Sequence, residues 1–160
     1  MNKFTPEILL PEGVSVGHAD NSVTGCTAII CEGGAVAGAD VRGGAPGTRE
    51  TDLLHNEKAM EKINAVVLSG GSAYGLEASC GVMRYLRDKG EGFAIGDKVV
   101  PIVCSAVLYD LNSPDYNYPD TAMGMLAAQN AATENIPFGK VGAGTGATVG
   151  KIRGQEFSSA

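Results

Sequence analysis

The sequence predicts an α/β (α+β) domain in which sheet layers are covered by helices. Three observations carry this. Short apolar runs rich in β-branched residues alternate with two stretches of helical period, so strands and helices share one chain. Glycine makes up 23 of 160 residues and falls in clusters between those runs, where it marks turns and close approaches. With 44% apolar and 19% charged residues the chain has enough hydrophobic material for a core, and residues 1–160 read as a single domain.

Taken in order, Thr24–Cys31 and Ala35–Val41 flank Glu32-Gly33-Gly34 and are expected to form a hairpin. Asn64–Leu68 reads as a buried strand that halts at Ser69-Gly70-Gly71-Ser72. A helix follows, with Ser72 as its N-cap, Gly90 as its stop, and Leu76, Cys80, Met83 and Leu86 on its apolar face. Val99–Leu111 is a second apolar stretch, its strand running from Pro101 to Tyr109, with Pro101 keeping the first part at an edge or outside the sheet. A polar loop over Asn112–Pro119 leads to Asp120, which caps a helix through Met123, Leu126 and Ala127 to about Thr133. The segment Gly139–Lys151 reads as extended and dense in glycine.

Charge and composition exclude several functions. The net charge is −6 and the basic residues are scattered, which disfavours nucleic acid as a partner. No apolar run approaches the roughly 20 residues of a membrane span, and the opening Met1–Pro6 lacks the basic start and apolar middle of a signal peptide. A cytoplasmic location is expected. Four cysteines without a CxxC pair are too sparse for a disulfide scaffold and read as buried thiols. A loop histidine is a better account than a metal ligand, since neither His18 nor His55 has a second ligand at metal-binding spacing, and no metal and no cofactor are expected.

The glycine-rich tail invites two nucleotide-binding readings, and both fail on context. Gly142–Ala147 matches G-x-G-x-x-A, yet the residues to Ile152 lack a helical stripe, and Gly150-Lys151 is followed by Ile152 where a P-loop requires Ser or Thr. The turn Ser69–Ser72 lacks the pattern of a nucleophile elbow, although it could present backbone N–H groups to a carboxylate or a developing oxyanion. Asp40–Asp52 places two arginines around a Gly-Gly turn, and Tyr109 ends an apolar strand, where a core tyrosine is the ordinary expectation. A surface lysine is the ordinary expectation for Lys151, against which stand its small and apolar neighbours Val149, Gly150 and Ile152, whose alternative is a partly desolvated ammonium. The residues by themselves name no reaction.

Five segments in order resemble the L-aminopeptidase/D-esterase (DmpA) family, whose relatives include β-aminopeptidases and nylon-oligomer hydrolases. They are Gly17-His18-Ala19, Thr24–Thr27, Asp40–Leu54, Leu68–Leu76 and Val141–Lys151. The resemblance implies a four-layer αββα sandwich of the DmpA/ornithine-acetyltransferase type, of which this chain would be the N-terminal, α-chain part. It implies a hydrolase that cuts itself into α and β chains, with the new N-terminal Ser or Thr of the β chain attacking small peptides, amides or esters. Tyr109 and Lys151 match the site tyrosine and lysine, and Ser69, Gly70, Gly71, Ser72, Arg42, Gly43 and Thr145 are taken as substrate-binding. No residue of this chain matches the nucleophile, since Ser158 and Ser159 stand too soon after Lys151, so the chain alone is expected to be inactive. Its own β chain and a homo-tetramer of αβ units are the expected partners. The competing expectation is an inactive scaffold or binding subunit of the same fold.

Overall fold

In the computed structural model residues 9–111 and 115–159 are described; Met1–Pro6, residues 112–114 of the polar loop, and Ala160 lie outside them. The strands are β1 (Val14–Asp20), β2 (Gly25–Ala35), β3 (Thr48–Arg49), β4 (Ile63–Ser69), β5 (Phe93–Ile95), β6 (Lys98–Val100) and β7 (Val103–Val107), and the helices are α1 (Ala78–Asp88) and α2 (Thr121–Gln129). Five strands form one sheet in the order β1-β2-β4-β7-β3, while β5 and β6 form a separate hairpin in the crossover after α1. Among the described strands only β4 and β7 run parallel, as their connection through α1 allows.

The first hairpin differs from the one expected. β2 pairs with β1 upstream of it, and the reversal is at Asn21–Thr24, where Asn21 Oδ1 accepts the N–H groups of Val23 and Thr24 at 3.2 and 3.0 Å. Glu32-Gly33-Gly34 does not turn the chain back. It lies within β2 as a bulge, with φ of 67° and 79° at the two glycines, where residues 31–34 stand opposite Asn64 alone. Val36–Val41, expected as the second strand, has no sheet partner.

Both helices cover the same face of the sheet. Cys26, Ala28 and Ile30 of β2, Ala65 and Val67 of β4 and Val103 of β7 pack there against Ala78, Val82 and Leu86 of α1 and Ala127 and Ala128 of α2. The apolar stripe of α1 is thus set one column away from the expected one. Leu86 is on it, but Cys80 and Met83 are half-buried at its side, where the Arg49 guanidinium donates to Cys80 Sγ (3.1 Å) and Met83 Sδ (2.7 Å). Small residues take the centre because the backbones approach closely there. A Cβ on Gly124 would collide with the Ala78 carbonyl of α1, and one on Gly17 with the Ala127 carbonyl of α2.

The helix ends also differ in part. Ser72 does not cap α1; it has φ 53° and opens a 3-10 segment, Ser72–Glu77, that leads into the helix. Gly90, at φ 76°, stops α1 as expected. Asp120 caps α2 by accepting the Met123 N–H at 2.8 Å, but α2 ends at Gln129 because Ala132 leaves it to exchange two backbone hydrogen bonds with Val16 of β1. Its buried residues are Gly124, Ala127 and Ala128, and the expected Leu126 is exposed. The tail is not extended: 3-10 turns occupy Gly142–Gly144 and Lys151–Arg153.

The opposite face of the sheet carries the rows Val16, Ile29, Val66 and His18, Thr27, Leu68, in which Leu68 is 41% exposed. His18 belongs to β1. The tail docks beside it: the Thr27 hydroxyl accepts the Ala143 N–H at 3.1 Å and shares a 2.9 Å hydrogen bond with His18 Nδ1, while Asp20 accepts the Gly142 N–H. Donation of the Thr27 proton to Nδ1 fits a neutral imidazole, and burial lowers the His18 pKa against the opposing pull of the Pro137 backbone and Asp20. All four thiols are free; Cys26 and Cys104 are buried, with burial pushing Cys26 up to about 12, whereas Cys31 and Cys80 are only half-buried.

Gly124→Ala is expected to destabilise the fold by about 1–3 kcal/mol through overpacking on α1, more than the roughly 1 kcal/mol that alanine gains over glycine in a helix. A urea titration measures it. At His18 the unfolded chain takes up a proton from its ordinary value of 6.5 downward, before the folded state does. Stability should therefore be complete above that pH and decline as the pH falls towards the lower folded value. His18→Asn, which keeps an acceptor for Thr27, should flatten this acid-side slope of the urea midpoint.

Candidate active site

The parallel strands β4 and β7 end side by side, and ligand crevices in such sheets form at the carboxyl ends of the strands. Here β4 runs into Gly70-Gly71 and β7 into Leu108-Tyr109-Asp110. Two backbone hydrogen bonds tie the segments together, Leu108 N–H to Ser69 O at 2.9 Å and Ser72 N–H to Leu108 O at 3.0 Å. Asp110 lies beneath them, 1% exposed. Its Oδ1 accepts the Gly71 N–H at 2.5 Å and its Oδ2 accepts the Thr24 hydroxyl at 2.7 Å. Gly70 and Gly146 both lie against Oδ2 so closely that a Cβ on either would collide with it.

Tyr109 and Lys151 come together at the surface of this cluster. Lys151 Nζ donates to the Tyr109 carbonyl at 2.6 Å and lies 6.0 Å from the centroid of its ring. Tyr109 is 58% exposed, so it is not the packed core tyrosine that its apolar strand suggested, and its phenol is accessible. Lys151 is half-buried. An exposed phenolic donor beside a fixed ammonium group can stabilise developing negative charge or influence a neighbouring amine. Next to the turn, Tyr74 stacks on Tyr118 at 5.2 Å and meets Tyr116 edge-on at 6.3 Å, and the Tyr118 Cβ packs over Gly71.

The remaining candidate residues divide. Ser69 is buried with its hydroxyl on the Gly70 carbonyl, and the Thr145 hydroxyl is buried without a hydrogen-bond partner one residue before Gly146. Arg42 and Gly43 lie in an exposed loop, Arg42 paired with Asp40 at 2.6 Å, and no hydrogen bond or ion pair links them to Tyr109 or Lys151. Three amides of the glycine turn are engaged within the protein: Gly70 N–H is on the Gly25 carbonyl, Gly71 N–H on Asp110, and Ser72 N–H on Leu108. These donors hold the turn in place and are not available to an anion.

Sequence reasoning missed Asp110 and Thr24. The signal was present, because an aspartate inside Val-Leu-Tyr-Asp-Leu breaks an apolar run, and a carboxylate so placed requires partners if it is buried. Among the described residues no group of three or more His, Cys, Asp or Glu side chains could hold a metal ion, and no helix is long and apolar enough to cross a membrane.

The profile of peptidase family S58 matches residues 11–158. A protein of Mycobacterium leprae named as an uncharacterized aminopeptidase is 41% identical over 160 residues, covering 89% of this chain and 44% of that protein. A 6-aminohexanoate-oligomer endohydrolase of a Kocuria species is 38% identical over 144 residues, covering 88% of this chain and 38% of that enzyme. Among solved structures, a β-aminopeptidase of a Burkholderia species superposes with a TM-score of 0.65 at 21% identity, over 89% of this chain and 44% of its own. The L-aminopeptidase D-Ala-esterase/amidase of Ochrobactrum anthropi, described as a variant of the Ntn hydrolase fold, gives 0.64 at 21% identity over 84% of this chain and 42% of its own. The likeness to these two structures is one of fold. The chain spans less than half the length of the relatives it matches.

The contact between Gly146 and Asp110 leaves no space for a methyl group. Gly146→Ala is expected to destabilise the protein by about 1–3 kcal/mol, within the range for overpacking of a close-packed site. Chemical denaturation of the two proteins side by side reads the difference.

Proposed function

Because the chain belongs to peptidase family S58, we propose that it is the N-terminal part of a self-processing hydrolase of the aminopeptidase/amidase type, acting on small peptides, amides or esters. The observation that supports this most directly is the 2.6 Å hydrogen bond from Lys151 to the Tyr109 carbonyl, which joins residues 42 positions apart in one surface cluster. The relatives named as aminopeptidase and endohydrolase favour an enzyme over a scaffold.

In the proposed mechanism a Ser or Thr at the N-terminus of a β chain attacks the scissile carbonyl. A hydroxyl is a poor nucleophile at neutral pH, and the α-amine of the same residue, with an ordinary pKa near 8, takes its proton. Self-cleavage exposes that amine, so maturation and catalysis share one group. The Lys151 ammonium beside it favours the neutral, proton-accepting form by like-charge repulsion. The exposed Tyr109 phenol donates towards the scissile carbonyl as charge develops on its oxygen. The β chain would also pack on the sheet face that bears Val66 and Leu68, and αβ units would assemble as a homo-tetramer.

Mass spectrometry of the full-length gene product is expected to show two fragments, the second beginning with Ser or Thr; one intact and fully active chain would refute self-processing. In the processed enzyme Lys151→Ala should lower turnover about 100-fold or more, the scale of a positioned proton-transfer partner. Lys151→Arg should recover little, because guanidinium geometry differs from that of a compact ammonium. Tyr109→Phe should lower turnover by about 100-fold if the phenol supports the oxyanion. Wild-type kinetics in both Lys151→Ala and Tyr109→Phe would withdraw the two residues from the site.

A further inference from the structure

We infer that Asp110 is the positioning residue of the Tyr109–Lys151 pair, acting through its two hydrogen bonds and not through its charge. The argument begins with the peptide that accepts the lysine. The Tyr109 carbonyl belongs to the planar Tyr109–Asp110 peptide, which moves as a unit with the Cα atoms at its two ends. One residue before it, Leu108 is held by its two backbone bonds to Ser69 and Ser72. At its far end Asp110 is held through its side chain, by Thr24 Oγ1 at 2.7 Å and Gly71 N at 2.5 Å. The carboxylate therefore anchors the peptide whose carbonyl receives the lysine.

It also guides the donor. Gly146 passes over Asp110 Oδ2 in a gap that excludes a Cβ, and Lys151 follows five residues later in the same segment. One side chain thus fixes both the acceptor peptide and the route of the chain that carries the ammonium. Thr24 extends the support into the β1–β2 turn, where its own N–H is held by Asn21 Oδ1 at 3.0 Å. The significance for hydrolysis rests on the proposed placement of Tyr109 and Lys151 in the site.

The test uses the full-length protein labelled with ε-13C lysine, the Lys151 signal being identified by its disappearance in Lys151→Arg. Thr24→Val and Asp110→Ala are expected to shift that signal towards those of the exposed lysines. Asp110→Asn should leave it in place, since the amide oxygen still accepts from Gly71 and the amide nitrogen can donate to the Thr24 hydroxyl. Turnover should fall in parallel by about 100-fold in Asp110→Ala, the scale of a displaced reacting group, with the loss in kcat and recovery in Asp110→Asn. A carboxylate that only stabilises the fold would lower the denaturation midpoint while the Lys151 signal of the folded protein stayed still, and that result overturns the assignment. So does a signal that moves as far in Asp110→Asn as in Asp110→Ala. If Asp110→Ala does not fold, Thr24→Val, which deletes one hydroxyl, decides in its place. Expected signal shifts combined with unimpaired turnover in both Lys151→Ala and Tyr109→Phe would withdraw the pair from the site and leave the positioning role standing.

Discussion

One buried carboxylate organises the end of the sheet. Placing a charge out of water is expensive unless hydrogen bonds replace the lost hydration, and Asp110 meets that requirement with a hydroxyl from one turn and a backbone N–H from another. Those two donors come from residues 86 and 39 positions away, so satisfying the charge forces distant segments together. The glycines around it follow from the same demand. Gly70 and Gly146 bring backbone against the carboxylate, and a larger residue at either place would push the oxygen away from its donors.

A similar economy of size governs the layers. Helix α1 faces the sheet with Ala78, Val82 and Leu86, and α2 with Ala127 and Ala128, while Gly17 and Gly124 let backbones approach within contact of neighbouring carbonyls. The core is correspondingly rich in alanine, with valine and isoleucine next and no aromatic side chain among its described buried hydrophobics, and it gains from dense packing what it lacks in large side chains. High glycine content is thus a property of the packed interior as much as of the turns. From β3 a long side chain reaches α1: Arg49 donates to the sulfur atoms of Cys80 and Met83.

Features fixed by near neighbours were legible in the sequence. Asp120 caps α2 through a residue three places on, Gly90 stops α1 by its own freedom at positive φ, and Asn64–Leu68 is a strand in both readings. Features fixed at a distance were not. The Gly33-Gly34 pair would suit a turn as well as a bulge, and only the presence of β1 as a partner decides for the bulge. The stripe on α1 was misplaced because the larger Leu76, Cys80 and Met83 dominate its periodicity, whereas the close approach of the backbones selects the smaller column beside them. The proximity of Tyr109 and Lys151 was expected from the family resemblance and not from spacing, and the Asp110–Thr24 bond that underlies it involves no local pattern at all.

The hydrogen bonds between Ala132 and Val16 have a consequence for how this sheet can grow. They interrupt the outer rim of β1, the first strand in the order, at Val16, while the last strand, β3, is two residues long. A sheet with one rim interrupted and the other so short offers a reduced template for lateral strand addition, the route by which unprotected sheets recruit one another into aggregates. Its open apolar surface is the broad one, with Val66 and Leu68 at the centre. Further mass is therefore directed to stack upon it, thickening the protein in layers and not widening it.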